Sequence, residues 1–196
     1  MFGNTICSFL PNSLTAGVGG ISTCKYLEAA PSGWIVALTP AGQTNCAIFG
    51  TSTVDPICVW SGNTSVYIGT TSTAIGKGHA NTTAIIAQAN GGSTPGKAAT
   101  VSRAYQGGGK TDWFLPSLLE LNQLCRYASN MTVDNTATTC TGMTGTIRLG
   151  LDTGYYWSSY ESSSSFAWLN YMYTGGQGGN LKTINYDIHV RPVRAG

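Results

Sequence analysis

Apolar residues in this chain come in short clusters rather than long periodic runs. Lys25 to Ala30 reads as a short strand that stops at Pro31, and Trp34 to Leu38 as a second short apolar segment. A polar Gly/Ser/Thr stretch runs from Val59-Trp60 to Gly78. Asn81 to Gln88 has the spacing of a short helix, with Asn81, Thr82 and Thr83 as cap candidates, and Ala-rich Lys97 to Tyr105 predicts a second. The run Gly107 to Gly109 interrupts the chain. Beyond Pro116, the residues Leu118, Leu119, Leu121, Leu124 and Cys125 recur at helical spacing, with Glu120 in the first turn. They predict a helix over about 117–127. A Thr/Asn/Gly loop follows over 128–147.

The C-terminal forty residues alternate instead. In Phe166 to Tyr173, Leu169, Tyr171 and Tyr173 share one strand face, and Trp168 and Met172 share the other. Gly175 to Gly179 reads as a turn, after which Ile184, Tyr186, Ile188 and Val190 alternate with Thr183, Asn185, Asp187, His189 and Arg191. Two strands around a glycine turn predict a hairpin. Few helices and many short strands make the fold class α+β.

Composition adds a polar, neutral surface. Charged residues are 9% of the chain, net charge is +2 and there are 26 glycines. Such a charge calls for no nucleic-acid partner. No apolar run approaches about 18 residues, so no membrane insertion is expected. The tail is rich in Tyr, Ser, Gly and Asn, which dominate antibody recognition loops because they combine rigid contact area with adaptable hydrogen bonding. Cysteines are even in number: Cys7, Cys24, Cys46, Cys58, Cys125 and Cys140. None forms a C-x-x-C pair and there are two histidines, so disulfides in an oxidising compartment are expected rather than zinc. Fifteen connectivities exist. Pairing of sequence neighbours (Cys7–Cys24, Cys46–Cys58, Cys125–Cys140) is the expectation, against six reduced thiols in a cytosolic protein. With no signal peptide at its start, the chain reads as a C-terminal part of a longer secreted protein.

A family resemblance rests on an ordered set of motifs. They are Tyr26-Leu27-Glu28-Ala29-Ala30-Pro31, then Ile75 to Thr82, then Asp112-Trp113-Phe114-Leu115-Pro116-Ser117 with Glu120-Leu121. Tyr156-Trp157-Ser158-Ser159 with Glu161, Ala167-Trp168, Gly175, Lys182 and Val190 to Ala195 complete the order. Over about residues 20–196 the chain resembles a C-type-lectin-like domain of bacterial surface proteins. It is similar both to the C-terminal domain of collagen-like adhesins and to the variable proteins of diversity-generating retroelements. The resemblance implies a lead-in over 1–20, a C-type-lectin-like ligand-binding domain over 21–196, and a hairpin that displays ligand-contacting side chains. The adhesin likeness implies a homotrimeric extracellular head that binds sulfated glycosaminoglycans or another anionic glycan. The retroelement likeness implies a diversified or phage receptor-binding protein that recognises a protein or neutral glycan. This chain ends Ala195-Gly196 where an aromatic often closes the retroelement domains.

The candidate ligand-binding residues are Tyr160, Tyr171, Tyr173, Asn180, Lys182, Asn185, His189 and Arg191. Arginine and lysine suit sulfate or carboxylate because the guanidinium clamps such groups in bidentate fashion. Trp113, Trp157 and Trp168 are expected in the core. Asp112, Glu120 and Glu161 are a candidate carboxylate set for acid–base chemistry, weighed against capping and strand pinning. The pinning is favoured, and no enzyme activity is expected. An enzyme related to formylglycine generation would need a reactive cysteine pair, and only Cys125 and Cys140 lie in the C-terminal half. No cofactor and no metal are expected, because the sugar-site signatures of calcium-dependent lectins are absent, and the run Gly107 to Lys110 lacks the phosphate-loop pattern.

Overall fold

The structure is a computed structural model that describes residues 27–34, 46–47, 55–61, 63, 65–69, 71–88, 97–131, 136–140, 148–184 and 187–196. It is mixed α+β, as expected. The order is β1 (Leu27–Ala29), β2 (Cys46–Ala47), β3 (Ile57–Cys58), α1 (Gly78–Ala87), α2 (Ala98–Ala104), α3 (Leu118–Ala128), β4 (Tyr155–Glu161), β5 (Phe166–Tyr171), β6 (Gly176–Leu181), β7 (Ile188–His189) and β8 (Val193–Ala195). Strands β2 to β7 form one sheet in the order β2-β3-β7-β4-β5-β6. β1 pairs with β8 alone, Leu27 opposite Ala195.

α3 forms where the leucine spacing places it because its start signal is local. Ser117 Oγ accepts from Glu120 N at 3.3 Å, and a Glu120 carboxylate oxygen accepts from Ser117 N at 2.7 Å. This reciprocal capping box satisfies two amides that a helix start otherwise leaves unpaired. Leu118, Leu121, Leu124, Cys125 and Ala128 then fall on the buried face. The Cys125–Cys140 disulfide ties that face to the loop beyond, and Cys46–Cys58 joins directly opposed residues of β2 and β3. Both match the neighbour pairing; Cys7 and Cys24 lie outside the described residues. So do most of the segment Trp34 to Leu38 and the lead-in.

α1 starts earlier than the cap pattern indicates. It begins at Gly78, so Asn81 and Thr82 sit inside the helix and are buried. Their polar groups serve distant chain. Asn81 Nδ2 donates to Ser72 O at 2.7 Å and to Ser159 Oγ at 3.0 Å, and Thr82 Oγ1 accepts from Leu115 N at 3.0 Å. A residue type that caps locally can equally cross-link non-locally. Gly78 is required by close approach: a Cβ there would collide with the Glu120 carboxylate and the Phe114 ring.

The C-terminal stretch departs most from expectation. The glycine run is not the turn. Gly176–Leu181 is strand β6, paired along its length with β5 from Tyr171↔Gly176 to Phe166↔Leu181. The reversal lies one step earlier, where Gly175 takes φ +71° and its N–H reaches Tyr171 O at 2.7 Å. Ladder pairing with β5, not propensity, makes Gly-Gln-Gly-Gly a strand. Nor is 182–194 one strand. Asp187 has φ +60°, and only Ile188–His189 joins the sheet there, parallel to β4 and antiparallel to β3.

Both sheet faces are covered over their centres. Trp157, Ala167 and Leu169 pack with Trp34, Trp60, Val101 and Ile188, while Tyr156 and Met172 pack with Leu121, Leu124 and Cys125 of α3. Leu169 is therefore largely core, on the same strand face as Tyr171. Met172 is core as expected, but Trp168, which shares its face, is half-buried at the strand's outer end. Alternation assigns a face but not how far the covering layer extends along it.

Candidate functional site

Most of the sequence-derived charged candidates turn inward. Lys182 is fully buried, its ammonium ion-paired with Glu161 and 5.1 Å above the Trp60 ring. Glu161 also accepts from Ile68 N at 2.7 Å, pinning the 65–69 loop. Arg191 is 1% exposed. Its Nε donates to Asp55 Oδ1 at 2.6 Å, its Nη1 to the carbonyls of Ala30 and Leu149, and its Nη2 to that of Gly150. Leu149 and Gly150 adopt positive φ, which turns both carbonyls toward the guanidinium. Tyr156 donates its hydroxyl to Asp55 Oδ2 at 2.7 Å. Burial pushes the Asp55 carboxyl above its ordinary range, against the pull of Arg191, and pushes the Tyr156 phenol well up. His189 is buried, with Nδ1 2.8 Å from Asp55 O and its ring against Tyr156. Lys182, Arg191 and His189 are thus corrected from ligand contacts to internal fasteners. Buried charge survives only when paired and hydrogen-bonded, so their positions follow from Glu161 and Asp55.

The three carboxylates considered for acid–base work are each occupied separately. Glu161 serves Lys182, and Asp112 forks to Arg194 Nε and Nη2 at 2.8 and 3.1 Å. Burial raises Asp112, but the Arg194 hydrogen bonds and charge prevail and hold it below the usual range. Glu120 gathers the N–H groups of Ser117, Gly76 and Gly78, yet burial dominates and lifts it from 4.5 to about 7. The folded state therefore holds a proton there that the unfolded chain releases. Its stabilising contribution is complete below pH 4.5 and is lost as pH rises through about 7. Denaturant unfolding between pH 5 and 8 should show stability falling with pH, and Glu120→Gln should flatten that slope.

A shallow trough of about 330 Å³ lies open among the described residues along the free edge of the sheet. Tyr155, Leu169 and Tyr171 form one side, and Gly176 to Asn180 of β6 the floor and far rim. Tyr155 and Tyr171 are cross-strand partners, and their rings stack at 4.4 Å with planes 22° apart. Tyr173, 59% exposed, extends the aromatic row at 6.1 Å from Tyr171. The floor is bare because a Cβ at Gly178 would meet nothing within 4 Å. Gln177 and Asn180 supply amides; Gln177 Nε2 reaches Thr138 O at 3.3 Å, and Asn180 Oδ1 accepts from Leu181 N at 2.8 Å. No lining residue carries a formal charge.

Of the candidates, Tyr171, Tyr173 and Asn180 come together here. Tyr160 sits on the opposite face, beside Trp168. Asn185 lies outside the described residues. Sequence reasoning passed over Tyr155, Gln177 and the glycine floor. Tyr155 stands immediately before the Tyr-Trp-Ser-Ser motif, but its pairing with Tyr171 depends on the reversal at 162–165 that joins β4 to β5.

Comparison with protein-family models, with curated proteins and with solved structures finds no match to this chain. The site's own chemistry therefore carries the functional reading. Among the described residues there are two disulfides, and no helix is long and apolar enough to cross a membrane. The disulfides are compatible with a secreted protein.

Proposed function

We propose that this chain is an extracellular ligand-recognition domain of the C-type-lectin-like kind, and that its trough holds a neutral glycan. The observation that carries the reading is an uncharged trough walled by the stacked Tyr155–Tyr171 pair over a glycine floor. Aromatic faces take the apolar side of a sugar ring, and side-chain amides both donate to and accept from hydroxyls. The volume is at the small end of ligand pockets, which suits one or two sugar rings rather than a drug-sized molecule. An anionic glycan needs cations at the surface, and the two that suggested it, Lys182 and Arg191, are buried with their own carboxylates. The motif order read from the sequence, the α+β architecture and the disulfides support the domain type. An adhesin head or a receptor-binding protein are the settings in which such a surface serves attachment.

A glycan array with the native protein, followed by titration of the best ligand, tests this. Binding should change little with salt, since no charge lines the trough. Tyr171→Ala should weaken it by about 10-fold or more, as expected for truncating a central aromatic contact. Gly178→Val should block the trough while keeping the fold, because its Cβ enters open space and valine favours strands. Retention on heparin that falls steeply with salt and is untouched by both variants would sink the neutral-glycan reading.

A further inference from the structure

The chain contains five tryptophans, and four of their indole N–H groups are engaged in the interior. Trp34 donates to Val190 O at 3.1 Å, Trp60 to Ser158 O at 2.7 Å, Trp113 to Gly107 O at 3.2 Å and Trp157 to Cys58 O at 2.9 Å. All four rings are 2% exposed or less. Trp168 differs. It is half-buried, and its Nε1 has no hydrogen-bond partner among the described residues.

Its surroundings leave it open. Trp168 lies opposite Gly179 of β6, so no cross-strand side chain covers the ring. A Cβ on Gly179 would already stand 3.7 Å from Trp168 Nε1, and any longer side chain would lie over that edge. The Tyr160 ring stands 6.1 Å away at 59°, forming a wall, and its hydroxyl has no partner among the described residues either. Phe166 and Leu181, each 42% exposed, pair across the strands next to them. Because Trp168 and Leu169 are successive strand residues, this patch and the trough occupy opposite faces of the sheet.

We propose that Trp168, Tyr160 and the gap at Gly179 form a second saccharide subsite, on the sheet face opposite the trough and meeting it at the β6 edge, that stacks the apolar face of a neutral sugar ring on the indole. The indole N–H and the Tyr160 hydroxyl donate to sugar oxygens at the rim. The two open donors favour a sugar over an apolar protein surface. Covering them with apolar side chains would strand both unpaired, which is costly, whereas a sugar brings acceptors to the same place. Phe166 and Leu181 flank the ring and carry no charge, so they add apolar contact without selecting an ion.

Indole N–H resonances of the 15N-labelled protein test this directly. Five are expected, with that of Trp168 exchanging fastest with water. Cellotetraose, chitotetraose and mannotetraose are then titrated in turn. At least one should move the Trp168 signal and the backbone amides of Tyr160 and Gly179, and Trp168→Phe, read at those two amides, should weaken binding there 10-fold or more while leaving the amide shifts at Tyr171 intact. Tyr171→Ala should do the reverse. A Trp168 response that survives loss of all binding at Tyr171 supports the subsite and removes the trough. The subsite is overturned if none of the three sugars moves the Trp168 signal. It is equally overturned if the signal moves only with protein concentration alongside faster sedimentation, which would place a second copy of the chain on the patch.

Discussion

Asp55→Ala should lower the stability of this domain by about 3–5 kcal/mol, the cost typical of removing one partner of a buried ion pair. The substitution leaves the Arg191 guanidinium, 1% exposed, without the carboxylate that pairs with it among the described residues. It also strips the Tyr156 hydroxyl of the acceptor at 2.7 Å. Three carbonyls remain on Arg191, from Ala30, Leu149 and Gly150, so the guanidinium keeps hydrogen bonds but loses its counter-charge. Urea unfolding measures the effect. Adding Arg191→Met to Asp55→Ala should recover only part of the loss, because it removes the unpaired charge but leaves the carbonyls of Ala30, Leu149 and Gly150 without their donor and the Tyr156 hydroxyl without its acceptor. A single variant within 1 kcal/mol of the parent would show that water reaches the pair.

Lys182→Ala should be nearly as damaging, again about 3–5 kcal/mol, because Glu161 is left buried and charged. Two contacts soften the loss: Glu161 keeps the N–H of Ile68 at 2.7 Å and that of Gly69 at 3.4 Å. Those two amides should therefore remain protected from hydrogen exchange while global stability falls, and Glu161→Ala should expose both. Binding of a neutral glycan by the fraction still folded should be unchanged, since the Lys182 ammonium points inward. Charge reversal at Lys182 or Arg191 is in the same way a test of folding rather than of anion recognition. A Lys182→Ala protein that keeps full stability and loses glycan binding would return lysine to the surface and revive the anionic reading.

The legible parts of the fold share a local cause. Helix α3 was readable because its leucine spacing and the Glu120 in its first turn both lie within a few residues. The pairing of Cys46 with Cys58 and of Cys125 with Cys140 joins chain only 12 and 15 residues apart. The alternation of β5 was readable, and Tyr171 and Asn180 lie along the trough, although the same alternation misplaced Leu169 and Trp168. The illegible parts share the opposite cause. A run of glycines reads as a turn until a neighbouring strand supplies the ladder that extends it. Asn81 and Thr82 read as caps until Ser159 and Leu115, far along the chain, claim their side chains.

By itself, then, the sequence determined the α+β class, the third helix, two disulfides and a C-terminal stretch rich in tyrosines and small polar residues. Tertiary structure alone decided which of those residues meet solvent. Lys182 and Arg191 look like surface cations in any local reading. They are interior because Glu161 and Asp55, 21 and 136 residues away, are carried beside them by the sheet. Trp168 looks like core in the same reading, and it is left half-open because the layer that covers Met172 stops short of it. Burial depends on what packs from elsewhere in the chain, and no spacing of neighbours encodes that.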